Sequence, residues 1–288
     1  MTTQLDSAIL LISCPDAQGL VCAVTEFILK YGGNIVDLEQ HVDREENVFF
    51  MRLEWDLAQF SLPREQISES FHQLVGQKRH MAFQLFFSRD VPRMAVFVSK
   101  TSHCLFDILS RYQSGQWKVD IPLVVSNHED LRTLVENHGI KFVFMDMNNM
   151  SKAEAEEQQL KILKEHKVNF IVLARYMQIL SANFIDHYPN RVINIHHSFL
   201  PAFAGAKPYH NAYERGVKII GATSHYVTSE LDAGPIIEQD VVHVRHSDSI
   251  QDLVRKGQDN EKVVLSRAIY HHLNRAVLVH NNRTLVFS

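Results

Sequence analysis

The amino-acid sequence predicts an α/β protein with two domains, a small one at the N-terminus and a larger one built on a mostly parallel sheet. Two patterns lead to this expectation. Residues 7–87 follow the order strand, helix, strand, strand, helix, strand, whereas residues 94–195 repeat a strand followed by a helix. The length of 288 residues also exceeds that of a typical single domain.

The N-terminal pattern has the order βαββαβ. AILLIS predicts the first strand, and LVCAVTEFILK predicts a helix that is closed by Gly32 and Gly33. NIVDLEQHV and VFFMRLEW predict a hairpin, residues 63–76 predict the second helix, and MAFQLFF predicts the last strand. This order is that of a compact ferredoxin-like domain, which we expect at residues 1–87.

The larger domain is expected at residues 94–288, after a polar, proline-containing linker at residues 88–93. Its strand patterns are nearly continuous apolar runs such as FVFM and FIVL, which indicates burial on both faces of the sheet. A doubly wound sheet satisfies this pattern. Helices are predicted to begin at Ser102 and Glu129, to cover residues 151–166, 178–184 and 249–275, and to precede a hairpin around Asn281 and Asn282.

Composition narrows the possible functions. The formal net charge of −4 provides no basic surface for nucleic acid, so we expect a small-molecule partner. The N-terminus lacks a signal-peptide pattern and no apolar run approaches the roughly 18 residues of a membrane span, so a cytoplasmic protein with no membrane contact is expected. Cys14, Cys22 and Cys104 are scattered and odd in number, which favours reduced thiols over disulfides.

The chemistry of the chain is concentrated between residues 191 and 237. Asn194 and His196 are two apart on a predicted strand, so both side chains should face the same way, at the carboxyl end where ligands bind such sheets. A carboxamide and an imidazole there can stabilise an oxyanion and move a proton, and Asp232 in a later loop can orient the imidazole. The pattern alone equally fits structural roles, with Asn194 capping a turn and His196 lying in the core.

NIHHSFLPAFAG followed by GATSHYVTSELDAGPII resembles the paired motifs of the formyltransferase family, whose members use 10-formyltetrahydrofolate. The resemblance extends over most of residues 94–280 and includes LARYMQIL at 173–180, which is similar to the folate-pocket segment of that family. It implies a catalytic triad of Asn194, His196 and Asp232. It also implies substrate contacts from Arg175, Tyr176, Met177, Gln178, Leu180, His225, Ser229, Glu230, Leu231 and Gly234. Arg175 would meet the glutamate tail of the folate, or would simply be an exposed side chain at a strand end.

The sequence departs from the family pattern at two places, and the second, a missing phosphate loop, argues against a ribotide acceptor and for hydrolysis. The family has proline where this chain has His197, and the glycine-rich phosphate loop of the ribotide transferases is replaced by VSKTSHCLFDIL. Water is therefore the expected nucleophile, no cofactor is expected, and the formate released would serve purine synthesis and the folate pool. Two alternatives remain, formyl transfer to an amine and a non-catalytic folate and amino-acid sensor.

A metal site at His197 and His210 is not expected. Adjacent residues on a strand should face opposite ways, and the sequence has no His-Glu-x-x-His spacing. Pro201 and the rest of SFLPAFAG are expected instead to form a wall of the pocket.

The opening SCPDAQGLVCAVTEFILKYGGNI is similar to the start of ACT domains, which are small regulatory modules. This resemblance implies that Asp16 and Gly19 meet Asn34 and Ile35 of a paired copy, that an amino-acid effector binds there, and that the protein forms a homo-oligomer. The structural alternative is that Asp16 caps the first helix and Gly19 permits the turn.

Overall fold

The structure, a computed structural model, describes residues 6–147, 149–201 and 208–287. The chain divides into two compact units, Met1–Val91 with Phe287–Ser288, and Pro92–Val286. The division lies inside the expected linker, although the sequence assigned residues 287 and 288 to the second domain. Among the described residues no helix is both long and apolar enough to cross a membrane.

The first unit has the predicted βαββαβ order. Its strands form one antiparallel sheet in the order β2-β3-β1-β4. The α-helical part of the second helix ends at Phe71, earlier than predicted. Residues 72–79 continue the helical path as a π turn and a 3-10 turn. The elements are β1 (Ser7–Pro15), α1 (Leu20–Lys30), β2 (Asn34–Asp43), β3 (Val48–Asp56), α2 (Arg64–Phe71) and β4 (Ala82–Phe87).

One face of this sheet carries the core of the first unit. Phe27 and Ile28 of α1 and Phe71 of α2 are buried against Leu53 and Trp55 of β3. Burying an aromatic side chain of this size contributes about 2–3 kcal/mol to folding. Strand β2 forms an edge of the sheet, and most of its residues are exposed or half-buried.

The second unit contains a seven-stranded sheet in the order β11-β10-β9-β8-β5-β6-β7. Strands β5 to β9 are parallel, and β10 and β11 extend the sheet as antiparallel strands. The strands are β5 (Arg93–Val98), β6 (Asp120–Ser126), β7 (Lys141–Phe144), β8 (Phe170–Ala174), β9 (Val192–His196), β10 (Ile219–Tyr226), β11 (Ile236–His243), and the separate hairpin β12 (Val277–His280) with β13 (Arg283–Val286).

Helices cover both faces of this sheet, as the apolar strands predicted. Residues of α3, α4 and α8 share one core layer with Val96 and Val172, whereas residues of α5 and α6 share the other with Phe97 and Leu173. Adjacent residues of a strand point to opposite faces of the sheet, which is why Val96 and Phe97 lie in different layers. The helices are α3 (His103–Gln113), α4 (Arg132–Asn137), α5 (Lys152–Glu165), α6 (Ala182–Asp186), α7 (Pro208–Arg215) and α8 (Ile250–Leu273).

Side-chain caps explain where several helices begin. Ser249 forms a capping box with Asp252 at the start of α8, and Ser151 forms one with Glu154 at the start of α5. The helix predicted at 178–184 begins at Ala182 because Ser181 accepts a hydrogen bond from the Phe184 amide. The segment between β8 and α6 is therefore a loop, and this loop carries the predicted folate-pocket residues.

Candidate active site

Strands β9 and β10 bring an amide and two imidazoles together. Asn194 lies opposite His225 in the antiparallel pairing. The pairing of β10 with β11 shifts register between Ser224 and His225, an irregularity that re-aims side chains. His225 Nε2 lies 3.2 Å from Asn194 Nδ2, and Nδ1 of the same ring lies 2.9 Å from the Tyr226 carbonyl. The carbonyl accepts only, so Nδ1 carries the proton and Nε2 accepts from Asn194.

Asp232 reaches the same place from the loop before β11. Its Oδ2 lies 3.3 Å from His196 Nδ1, and its Oδ1 lies 3.7 Å from His225 Nε2. The hydrogen bond from His196 holds the pKa of Asp232 well below its usual range, so the group is a carboxylate at neutral pH. The structure thus brings Asn194, His196 and Asp232 together, although Asn194 and Asp232 are separated by 38 positions in the sequence.

The outer nitrogen of His196 has no protein partner among the described residues. The side chain is only 8% exposed, and within the described ranges Nε2 is buried without a hydrogen bond. The nearby Ser198 hydroxyl is likewise buried and unpaired. A buried polar atom without a partner costs about 1–3 kcal/mol, a cost that a bound oxygen atom would remove.

The loop that carries Asp232 is fixed at its C-terminal end. A Cβ at Gly234 would lie 1.8 Å from the Tyr226 carbonyl oxygen, so only glycine fits there. Asn282 of the β12–β13 hairpin donates a 2.7 Å hydrogen bond to the Ala233 carbonyl. The other predicted residues of this loop, Ser229, Glu230 and Leu231, are exposed.

The predicted folate-pocket segment divides into core and surface residues. Tyr176 is buried, packs edge-on against Phe97 and accepts a 3.2 Å hydrogen bond from Gln159, and Leu180 is buried as well. These two side chains face the core, so only their backbone is left for a ligand. Met177 is 63% exposed and Gln178 is half-buried.

Arg175 does not point into solvent. Its Nη1 lies 2.6 Å from His197 Nδ1, and its Nε lies 3.5 Å from a carboxylate oxygen of Glu261. The alternative of a simply exposed arginine is therefore wrong, because the side chain is only 16% exposed. Its contact with a glutamate tail stays a prediction.

Glu261 on α8 is a buried charge that the sequence did not reveal. Its side chain is 1% exposed, and its two oxygens accept from His103 Nε2 at 2.8 Å and from the Tyr209 hydroxyl at 2.7 Å. Burial pushes the pKa of Glu261 upward, but the bond from His103, the charge of Arg175 and the bond from Tyr209 outweigh it, and the pKa is lowered. One signal in the sequence could have found it, because Glu261 stands three, four and seven residues before the apolar Val264, Leu265 and Ala268 and so lies on the buried stripe of the helix.

The rings of His196 and His197 are neighbours. Their centroids are 5.1 Å apart and their planes are inclined by 31°. The expectation that these residues face opposite ways is wrong, because β9 ends at His196 and the alternation of the strand ends with it. Burial and then the charge of Arg175 lower the pKa of His197 to about 4.

His103, Cys104 and Glu261 bring potential metal ligands within 4.8 Å of one another. Both Glu261 oxygens already accept hydrogen bonds, Arg175 adds a positive charge beside them, and burial raises the pKa of the Cys104 thiol. We therefore assign this group no metal. His210, the other histidine considered for a metal, is exposed on α7.

Thr223 and Gln239 hold the described start of the loop after His197. Thr223 Oγ1 donates to the Ser198 carbonyl at 2.9 Å and accepts from the Leu200 amide at 3.0 Å. Gln239 Nε2 donates to the Leu200 carbonyl at 3.1 Å. Residues 202–205 of the predicted pocket wall lie outside the described residues.

In the first unit, the predicted effector residues are at the start of α1 and of β2. Gly19 has φ 81 and occupies the N-cap of α1 without a side-chain bond, so the alternative that Asp16 caps this helix is wrong. The Asp16 amide donates to the Asn47 carbonyl at 2.9 Å. Asn34 is exposed and Ile35 half-buried at the start of the edge strand β2.

Comparison with known proteins identifies the family. The family model described as formyl transferase matches residues 92–269. Formyltetrahydrofolate deformylases from Synechocystis sp. and Bacillus subtilis are 49% and 47% identical, covering 98% of this chain in each case and 99% and 94% of the relatives. The crystal structure of a formyltetrahydrofolate deformylase from Pseudomonas syringae pv. tomato covers the whole chain and 96% of that protein, with 43% identity and a TM-score of 0.95. The chain therefore belongs to the formyl transferase family and, within it, to the formyltetrahydrofolate deformylases.

Proposed function

We propose that the protein hydrolyses 10-formyltetrahydrofolate to tetrahydrofolate and formate, with Asn194, His196 and Asp232 as its catalytic residues. The observation that carries the proposal is the state of the His196 ring. Nδ1 contacts the Asp232 carboxylate, and Nε2 is buried without a partner among the described residues. Such a ring is oriented and charge-stabilised on one side and open to a reacting oxygen on the other.

Hydrolysis needs a place for the negative charge that develops on the formyl oxygen. When water attacks the formyl carbon, the carbonyl electron pair moves to that oxygen. We place the oxygen within reach of His196 Nε2 and of the Asn194 amide. One preorganised donor to such an oxyanion is worth on the order of 10²- to 10³-fold in rate.

The same residues account for the protons. The carboxylate of Asp232 orients the attacking water. The proton that this water loses goes to Asp232 or is shared between Asp232 and His196. The bond from carbon to the folate nitrogen then breaks, that nitrogen takes the proton, and formic acid leaves and ionises to formate.

Folate would bind along the loop between β8 and α6 and the loop that carries Asp232. The exposed large apolar side chains are those of Met177 and Ile179 in the first loop and of Leu231 in the second. The backbone near Gln178 and Leu180 would contact the pterin, and Arg175 the glutamate tail. An apolar rim with backbone donors and acceptors is typical of sites for planar heterocycles.

The nucleophile and the catalytic residues are tested with purified protein. Incubation with 10-formyltetrahydrofolate and no added amine should release formate; formyl transfer only after addition of an amine would refute hydrolysis. Asn194→Ala and Asp232→Asn should each lower kcat at least 100-fold at unchanged Tm. The exposed residues Asp130 and Asn137 supply matched controls, Asp130→Asn and Asn137→Ala, which should retain full activity. Near-normal turnover in either site variant would remove the assignment.

For the N-terminal unit we propose pairing with a second copy and binding of an amino-acid effector near Asp16, Gly19, Asn34 and Ile35. Two features support pairing: β2 is an edge strand of its sheet, and Val36 on it is an exposed apolar residue. Light scattering at micromolar concentration should give an oligomer, and a monomer would refute the shared site. Calorimetric titration with the common amino acids tests for the effector.

We also propose a cytoplasmic location and a role in supplying formate for purine synthesis and in balancing the folate pool. Free Cys14, Cys22 and Cys104 fit a reducing compartment. Loss of growth on purine-free medium after deletion of the gene, restored by formate, tests the metabolic role.

A further inference from the structure

A chain of polar side chains that takes no part in the proposed chemical steps ends beside His196. It runs from the buried Glu261 carboxylate through Arg175 to His197. A guanidinium has only protons to donate, so His197 Nδ1 must be the acceptor of the 2.6 Å bond. The single proton of the neutral ring is therefore on Nε2.

The surroundings of His197 keep it neutral. Within the described part of the chain, the groups that face it are Arg175 after β8, His196 on β9, Tyr209 on α7, Glu261 on α8 and Asp232 in the loop before β11. Burial and the charges of Arg175 and His196 lower its pKa to about 4, against the opposite effect of Glu261 and Asp232. At neutral pH the ring is thus a donor of fixed tautomer.

Glu261 stabilises the charge of Arg175 in its largely buried position. A buried guanidinium without a counter-ion is strongly unfavourable, whereas one beside a carboxylate is tolerated. The carboxylate is in turn held by His103 Nε2 and by the Tyr209 hydroxyl, so its position is set from two further helices. This chain of contacts fixes the orientation of the His197 ring.

A hydrolase must position a water molecule as its nucleophile, and water offers no further groups by which the enzyme could bind it. An amine substrate is positioned by the rest of its molecule, but water is positioned only by hydrogen bonds. Asp232 can accept from that water, and an oriented attack also needs a donor. The His197 ring lies close enough to the catalytic residues to supply this donor, since its centroid is 5.1 Å from that of the His196 ring.

We propose that His197 is a positioning residue that holds the attacking water through Nε2–H, with Arg175 and Glu261 fixing its tautomer and orientation. The inference rests on the proposed hydrolysis and extends it to the choice of water as nucleophile.

The test compares two nucleophiles in one reaction. Hydroxylamine attacks the formyl carbon through its own nitrogen, the bond from carbon to the folate nitrogen breaks, that nitrogen takes the proton, and formhydroxamate forms in place of formate. Both products are measured from 10-formyltetrahydrofolate with hydroxylamine present, after subtraction of the uncatalysed reaction. His197→Ala should lower kcat for formate about tenfold, the effect of one hydrogen bond, and leave formhydroxamate formation and KM within about twofold. The ratio of formhydroxamate to formate should therefore rise about tenfold.

Two further variants make the result decisive. His197→Gln keeps a donor near the original Nε2 and should restore most of the wild-type ratio, whereas His210→Ala removes an exposed histidine of α7 and should leave the ratio unchanged. An unchanged ratio in His197→Ala, or an equal fall of both products in His197→Ala and His197→Gln, would show a merely structural role and overturn the inference. If the wild-type protein releases no formate at all, it is the proposed hydrolysis that fails.

Discussion

Replacing Gly234 with alanine tests whether the Asp232 loop has to stay where the structure places it. The added Cβ would lie 1.8 Å from the Tyr226 carbonyl oxygen, where ordinary contacts begin near 3.4 Å. The loop must then move by the difference, about 1.6 Å, because the obstacle is backbone in a sheet and not a flexible side chain. A shift of that size would lengthen the 3.3 Å contact between Asp232 and His196 to about 5 Å.

Misplacement of a catalytic group by about 1 Å can cost on the order of 100-fold in rate. We therefore expect Gly234→Ala to lower kcat for formate release by at least that factor, with a smaller change in KM. Gly139→Ala is the matched control: Gly139 has φ 70, and a Cβ added there would meet nothing within 4 Å, so the variant should lose about 1 kcal/mol of stability and no activity. Activity of Gly234→Ala within about threefold of wild type would refute this account of the loop.

Two further predictions concern stability. Glu261→Gln removes the counter-ion of Arg175 and should lower the free energy of unfolding in urea by about 3 kcal/mol, whereas the exposed Glu136→Gln should lower it by less than about 1 kcal/mol; equal effects would contradict a buried charge pair. Burial lowers the pKa of His272 to about 3, below its unfolded value of about 6.5. The neutral ring therefore contributes its full stabilisation of the folded state above pH 6.5, and this stabilisation is lost as the pH falls toward 3. His272→Gln should therefore show a smaller fall in Tm between pH 7 and pH 4 than wild type, and an equal fall would refute this role.

The order of elements could be predicted because local patterns determine it. Alternation in the first unit and continuous apolar strands in the second led to the correct sheets, since burial on one face or both is reflected directly in the residue types. The helix predicted at 178–184 was placed too early because Ser181, and not the apolar spacing, decides where α6 begins. A cap of one residue outweighs a short periodic pattern.

The candidate triad was predictable for a different reason. Asn194 and His196 share a strand, so their common direction follows from the sequence, and the family resemblance supplied Asp232. The helical spacing of Glu261 indicates burial, but its partners were not predictable, because Arg175, His103 and Tyr209 arrive from three distant segments.

The backbone at Asp232 determines which substitution can isolate its charge. Its φ of 54 lies in the left-handed region, where aspartate and asparagine are tolerated far better than longer side chains. Asp232→Asn keeps the size and the backbone preference and removes only the negative charge that His196 and His225 contact. Asp232→Glu keeps the charge but adds a methylene and a residue less suited to this conformation. If charge alone matters, the glutamate variant should retain more activity than the asparagine variant; if the 3.3 Å geometry matters as much, as a strained backbone at a functional site suggests, both should fall at least about 100-fold.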